Sequence, residues 1–223
     1  ALLDHDDVLW PNALFEVAKI LELHPGTEFI YTDEDKIDET GEKHFYPFFK
    51  PDWSPEFLES CNYITHFSCI SKTVFDKVGG FRIGYEGAQD WDLILRVTEQ
   101  TDKIIHIPKV LYSWRVHTGS TALDTDSKPY VYDAQKKLLE DHIKRVGKKG
   151  YVEKGIIPQH RTIKYSYGDI KTLFIYSGKN KLSVVRRRIE SITNIDNFCI
   201  KKAVSMQALI KILHASNDVQ VVA

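Results

Sequence analysis

The sequence predicts an α/β fold, because short apolar strands alternate with segments whose apolar residues recur at helical spacing along the whole chain. Two observations refine that expectation. An apolar Ala1-Leu2-Leu3 runs directly into Asp4-His5-Asp6-Asp7 ahead of a helix, the way the ligand-binding edge of an open α/β sheet reads. The texture then changes after Gly147, and a smaller βαβ-type pattern begins near Ile163. The expected organisation is a main unit over 1–147, a linker over 148–163 and a second α/β unit over 164–223.

A helix is expected from about Pro11 to Leu23, with Leu14, Val17, Ala18 and Leu21 inward and Pro25-Gly26 as its stop. Phe29-Ile30-Tyr31 is a strand running out into Asp33-Glu34-Asp35, three acids that read either as acceptor-facing groups or, more simply, as a solvated edge. Thr40-Gly41 marks a turn between the arms of a hairpin. Ser54-Pro55-Glu56 opens a short capped helix, and Ser71 caps another that ends at Gly79-Gly80. Leu93, Leu95 and Val97 mark a helix with Arg96 and Glu99 outside, so Asp90 and Asp92 sit at its N-terminus, where dipole and free N–H groups favour carboxylates. Ile104 to Ile107 is a short buried strand in which His106 is a satisfied structural residue. Tyr112, Trp114 and Val116 alternate with Ser113, Arg115 and His117, a strand with two unlike faces. A helix from about Lys128 to Val146 buries Ala134, Leu138, Leu139 and Ile143. The second unit follows: a strand at 173–176, a helix with Leu182, Val185, Ile189 and Ile192 inward and Arg186 to Arg188 outward, a strand from Phe198 to Val204, a helix from Met206 to Leu213, and a last strand from Val219 to Val222.

A net charge of -1 argues against nucleic acid as a partner. No apolar run is long enough to cross a bilayer, and the start lacks the basic region of a signal peptide. Cys61, Cys69 and Cys199 are odd in number and lack Cys-x-x-Cys spacing, so they read as reduced thiols of a cytoplasmic protein.

Three candidate site pieces stand out. The carboxylates of Asp4, Asp6 and Asp7 repel one another unless a cation neutralises them, and Mg²⁺ or Mn²⁺, shared with phosphate oxygens, suits such a turn. The plainer alternative is a solvated acidic turn capping the next helix. Asp90 is placed to act as a general base toward an acceptor hydroxyl, with Trp91 offering an aromatic face to a sugar ring; the alternatives are an N-cap and a core indole. His117 ends its strand before a Thr-Gly-Ser-Thr stretch and suits Mn²⁺, although a strand-end His is also an ordinary surface residue.

Together with Tyr31-Thr32-Asp33-Glu34-Asp35-Lys36-Ile37, Phe49-Lys50-Pro51-Asp52-Trp53-Ser54-Pro55 and Val78-Gly79-Gly80-Phe81-Arg82, these pieces resemble the family 2 inverting glycosyltransferases of the GT-A fold. The likeness is to bacterial enzymes of O-antigen and surface-polysaccharide synthesis, and it runs from Ala1 to about Pro158. The resemblance implies a GT-A-like three-layer sheet, a nucleotide-diphospho-sugar donor, and a saccharide or lipid-linked saccharide acceptor. Asp4 and Asp6 match the Asp-x-Asp motif, Asp6 being the metal ligand, while Asp4, Asp7 and Ser120 serve the donor. His117 matches a late metal ligand, Asp90 the catalytic base, and Trp91 and Asp92 the acceptor side. It further implies a cytoplasmic protein with peripheral contact at the inner face of the cell membrane. Since the motif stands at the very start, the nucleotide-binding half of the family is expected to be missing in front, and 164–223 to be a truncated or degenerate second domain. A fold-back in which those residues supply the absent strands is the competing expectation. The alternative function is a non-catalytic carbohydrate-binding or assembly module. A metal-dependent phosphoesterase ranks third, for want of a second metal-binding cluster.

Overall fold

The computed structural model describes residues 1–116, 129–157, 160–166, 172–176 and 198–202. Two compact units divide the chain, Ala1–Gly147 with Val152–Ile163, and Lys148–Tyr151 with Lys164–Ala223. The first is a mixed α/β unit. Its elements in order are β1 (Val8–Leu9), α1 (Ala13–Leu23), β2 (Phe29–Ile37), β3 (His44–Phe48), α2 (Pro55–Leu58), β4 (Ser68–Ile70), α3 (Lys72–Val78), α4 (Gln89–Thr98), β5 (Ile104–Arg115) and α5 (Pro129–Arg145).

The sheet runs β1-β5-β2-β3, with β4 also paired to β2. β2 is its axis, and its two halves have different neighbours. Phe29, Ile30 and Tyr31 lie antiparallel to Ile70, Cys69 and Ser68, whereas Glu34 to Ile37 pair with β3 across the expected hairpin. Along its other edge β2 runs parallel to β5, from Phe29 opposite Ile104 to Ile37 opposite Arg115. The two short strands expected over 104–107 and 112–116 are thus one. Ile107 faces Thr32 and Val110 faces Asp33, so Pro108 and Lys109 have no partner in β2. Pro lacks the N–H a ladder needs and is expelled as a bulge, which breaks the apolar pattern without ending the strand.

The core beneath this sheet contains Ala13, Val17, Ile30, Phe67, Ile107, Leu111 and Tyr112. α1 therefore buries Ala13 and Val17, with Ile20 packed alongside, while Leu14 is 66% and Leu21 46% exposed. Both stripes have helical spacing, so periodicity alone does not choose between them; the stripe with the small Ala13 is the one that meets the sheet. α4 is buried almost all round, from Trp91 through Val97, and Arg96, expected outside, is 5% exposed. α5 buries Ala134, Leu138, Leu139 and Ile143 as expected. Ser54 and Ser71 cap α2 and α3, accepting from the N–H groups of Phe57 and Val74. Ala1-Leu2-Leu3 is not a strand: Leu2 N–H donates to the Ser68 carbonyl, but Leu3 is 52% exposed.

The residues expected as a linker contain β6 (Gly150–Lys154) and the start of β7 (Arg161–Tyr165). In the second unit, β8 (Thr172–Tyr176) and β9 (Phe198–Lys202) pair in parallel, from Thr172 opposite Phe198 to Tyr176 opposite Lys202. Parallel neighbours require a long crossover, in keeping with a βαβ unit. The expected helix with Leu182 to Ile192, its Arg186 to Arg188 cluster, the helix at 206–213 and the strand at 219–222 lie outside the described residues. No helix among the described residues is long and apolar enough to cross a membrane.

Candidate active site

Two residues of β5, Tyr112 and Arg115, hold the acidic turn in place. The Asp7 N–H donates to the Asp4 carbonyl at 3.3 Å, closing the turn. The Tyr112 hydroxyl donates to Asp7 Oδ2 and accepts from the Asp4 N–H at 3.3 Å. The Arg115 N–H donates to Asp7 Oδ1 at 2.8 Å, and its Nε to the Asp6 carbonyl at 2.7 Å. Nη1 of the same guanidinium reaches the carbonyls of Asp38 and Glu39, so Arg115 ties the acidic turn to the β2–β3 turn. Asp7 is half-buried, and burial raises its pKa against the pull of Tyr112 and Arg115.

Facing the turn is His66, which no spacing pattern in the sequence singles out. Its ring stacks on Tyr112 with centroids 5.0 Å apart and planes within 9°, and meets Trp114 at 5.2 Å. Nδ1 lies 3.4 Å from Glu34 Oε2 and has no partner of good hydrogen-bond geometry. Asp4, Asp7 and His66 each offer a ligand atom, all within 4.8 Å of one another. Hard carboxylate oxygens with one imidazole form a donor set suited to a divalent cation such as Mn²⁺. Burial disfavours the charged ring, but the adjacent Glu34 carboxylate, with the charge of Asp90, raises the His66 pKa overall.

Asp90 reaches the same cluster from the first turn of α4. The N-cap of that helix is Ala88, so neither Asp90 nor Asp92 is the cap. Gly87 sets the entry: its φ is +84°, and a Cβ there would stand 2.8 Å from Val131. Asn62 Nδ2 donates to Asp90 Oδ2 at 2.8 Å, and the residue as a whole is half-buried. Burial raises the Asp90 pKa, the His66 charge opposes this, and the Asp4 charge adds to it.

Behind His66 the acids of β2 are buried, not the solvated edge that the sequence suggests. Asp33, Glu34 and Asp35 are 2%, 7% and 6% exposed. Each has partners that earlier or later strands bring across. Lys50 Nζ donates to Glu34 Oε2 at 2.9 Å, to the Ile64 carbonyl at 2.6 Å, and to the His66 carbonyl. The Thr65 hydroxyl donates to the same Glu34 oxygen at 2.9 Å. Burial alone would raise the Glu34 pKa, yet Lys50 and His66 bring it down to about 2. Asp33 accepts from the Lys50 N–H and meets His106 Nε2 at 2.8 Å, with Asp52 on the other ring nitrogen. His106 is the structural residue expected, stacked on Tyr31. Asp35 accepts from the Ser113 hydroxyl and meets His44 Nδ1 at 2.8 Å.

Trp91 and Asp92, expected on the acceptor side, are placed inside the fold. The indole is 1% exposed and its N–H donates to the Leu58 carbonyl at 2.9 Å, so no aromatic face is presented to a sugar. Asp92 is fully buried between Arg82 and Arg96, and Arg96 also holds the carbonyls of Val78 and Gly80. Burial would raise the Asp92 pKa, but the two guanidiniums lower it. Asp6 sits on the turn, its Oδ1 3.6 Å from His5 Nδ1, and its carboxylate is not among the three donors that converge. His117 and Ser120 lie outside the described residues. His66, Tyr112, Asn62 and Arg115 are participants that the sequence pattern does not point to, and Glu34, which reads as acceptor-facing or a solvated edge, is instead buried beside His66.

No protein-family model matches the chain. It is similar to the uncharacterized protein y4gI of Sinorhizobium fredii, 43% identical over 199 residues, 86% of this chain and 22% of that protein. It is similar to the O-antigen biosynthesis protein RfbC of Myxococcus xanthus, 36% identical over 192 residues, 84% of this chain and 15% of that protein. A weaker likeness is to the chondroitin synthase of Escherichia coli, 27% identical over 177 residues, 76% of this chain and 24% of that protein. The chain thus spans less than a quarter of the length of these relatives.

Proposed function

We propose that the chain is the metal-binding and acceptor-side part of a polysaccharide glycosyltransferase, moving a sugar from a nucleotide-diphospho-sugar to a hydroxyl of a saccharide or lipid-linked saccharide with inversion. Names of two relatives, one for O-antigen biosynthesis and one for chondroitin synthesis, support a glycosyltransferase over a phosphoesterase. The observation that carries the reading is the position of Asp90. A carboxylate whose basicity is raised by burial stands at the rim of a donor set made by Asp4, Asp7 and His66.

A general base works best when its pKa is drawn up toward the operating pH, and Asp90 has that character. Asn62 holds one carboxylate oxygen, which aims the other at an acceptor hydroxyl and lets it take the proton as the new glycosidic bond forms. Asp4 and Asp7, on the turn that also carries Asp6, are proposed to hold Mn²⁺ or Mg²⁺ beside the donor diphosphate, with His117 the further ligand that the family likeness implies. A cation there supplies charge neutralisation to the departing nucleoside diphosphate. Arg115 and Tyr112 keep the turn rigid, so little reorganisation accompanies the reaction.

The test is Asp90→Asn. Sugar transfer, or donor hydrolysis where no acceptor is known, should fall by at least about a hundredfold, within the range for a lost general base. Mn²⁺-dependent binding of UDP, dTDP or GDP should be unchanged by calorimetry. Undiminished transfer by the variant would remove Asp90 from the chemistry.

A further inference from the structure

Resting on the reading that the acidic turn holds a cation, we infer that His66 is itself a ligand of that cation, held in its binding tautomer by Glu34. Nothing in the chain's motif pattern assigns His66 a role; its position in space does.

Ligand atoms of a Mg²⁺-sized ion stand about 2.1 Å from it, so two on opposite sides are about 4.2 Å apart. The donors of Asp4, Asp7 and His66 already lie within 4.8 Å of one another, and a shift of a few tenths of an ångström would close them on one ion. A metal-binding imidazole nearly always gives its other N–H to a carboxylate or carbonyl, which fixes both tautomer and ring angle. Glu34 provides that carboxylate, 3.4 Å from Nδ1, an atom buried without any other partner. With the proton on Nδ1, the lone pair of Nε2 is left for the ion.

The ring is not free to turn away. Tyr112 stacks on it at 5.0 Å, and the same Tyr112 anchors Asp7 and Asp4 through its hydroxyl. Glu34 is equally fixed, by Lys50 and Thr65. One aromatic residue therefore sets both the carboxylate and the imidazole sides of the site. An imidazole among carboxylates favours Mn²⁺ over Mg²⁺, whose preference is for oxygen. His66 thus adds to this site's preference for Mn²⁺.

Electron spin-echo spectroscopy of the Mn²⁺-loaded chain tests this without any activity, since it detects nitrogen bound directly to the ion. The Mn²⁺-bound nitrogen signal should survive in His117→Ala and vanish when His66→Gln is added. Mn²⁺ affinity should fall about tenfold or more in His66→Gln, with Mg²⁺ affinity changing less. A nitrogen signal already absent from His117→Ala, in protein that still binds Mn²⁺, overturns the role of His66 and leaves the cation in place. That arm needs no His66 variant, so it holds even where His66→Gln fails to fold. No Mn²⁺ binding by the wild-type chain at all overturns the cation itself, and the inference with it.

Discussion

Two clusters of three acids each meet opposite fates in this chain. Asp33, Glu34 and Asp35 are buried in the central strand, each matched by a cation or a donor. Asp4, Asp6 and Asp7 lie on a turn at the rim, held chiefly through backbone groups and one tyrosine. Charge density alone does not separate them. What separates them is what the fold brings to each: Lys50 reaches Glu34 in the first cluster, whereas Asp7 is met by the Tyr112 hydroxyl and the Arg115 backbone N–H. The cluster whose Asp7 is held by a hydroxyl and a backbone N–H is the one with capacity for a ligand, and the one matched by Lys50 is its foundation.

Removing the Lys50 countercharge has the largest expected effect. Lys50→Ala leaves Glu34 buried and unpaired and strips donors from the carbonyls of Ile64 and His66, so we expect a loss of about 3–5 kcal/mol in urea unfolding. A double variant, Lys50→Met with Glu34→Gln, should recover a large part of that, because an uncharged pair no longer owes the desolvation cost. If Lys50→Ala cost less than about 1 kcal/mol, the buried cluster would not be a supporting element.

A second pair of acids repeats the lesson within one turn of helix. Asp92 faces inward between two arginines, and Asp90 faces the site. Asp92→Ala should cost about 2 kcal/mol, short of a full buried-pair loss, because Arg82 is partly exposed and Arg96 keeps the carbonyls of Val78 and Gly80. Equal thermal stability of Asp92→Ala and wild type would contradict this placement.

The two clusters also predict pH effects of opposite sign. Glu34 has a folded pKa of about 2 against an ordinary 4.5, so its contribution is complete above 4.5 and is lost as pH falls toward 2. Glu34→Gln should flatten the acid limb of a stability-versus-pH curve over that window. Asp7 and Asp90 have raised folded pKa values, so their ionisation weakens the fold as pH rises above the ordinary aspartate range. An unaltered acid limb in Glu34→Gln would show that its charge is not coupled to folding.

Local chemistry was legible where a residue type and a position coincide. Ser54 and Ser71 were readable as caps, Thr40-Gly41 as a turn, and the stripe from Ala134 to Ile143 as a buried helix face. The acidic turn stood out as three carboxylates within four residues, and Asp90 as an acid at a helix start, although Ala1-Leu2-Leu3 before the turn is not the strand expected. What escaped was set by long-range contact. Leu14 and Ala13 begin stripes of equal spacing, and only the sheet chooses between them. Pro108 breaks a pattern that the strand itself survives as a bulge. Glu34 looks solvated until Lys50, Thr65 and His66 are folded over it. His66 stands alone before an apolar strand, and only its stacking on Tyr112 puts it beside Asp4.

The smallest expected change in stability is the most discriminating. Asp90→Asn keeps an acceptor oxygen for Asn62 and removes a carboxylate whose ionised form burial disfavours. At neutral pH its stability should stay within about 0.5 kcal/mol of wild type or exceed it. The sign follows from linkage: a raised folded pKa means that ionised Asp90 costs stability above the ordinary aspartate pKa of 3.8, and the neutral amide avoids that cost. Asp92→Ala, two residues away, should instead lose stability at every pH where Asp92 is ionised. Thermal unfolding of the two variants across pH separates a carboxylate whose ionisation weakens the fold from its structural neighbour. Should Asp90→Asn destabilise as much as Asp92→Ala, Asp90 would belong with the buried foundation and its role as base would be lost.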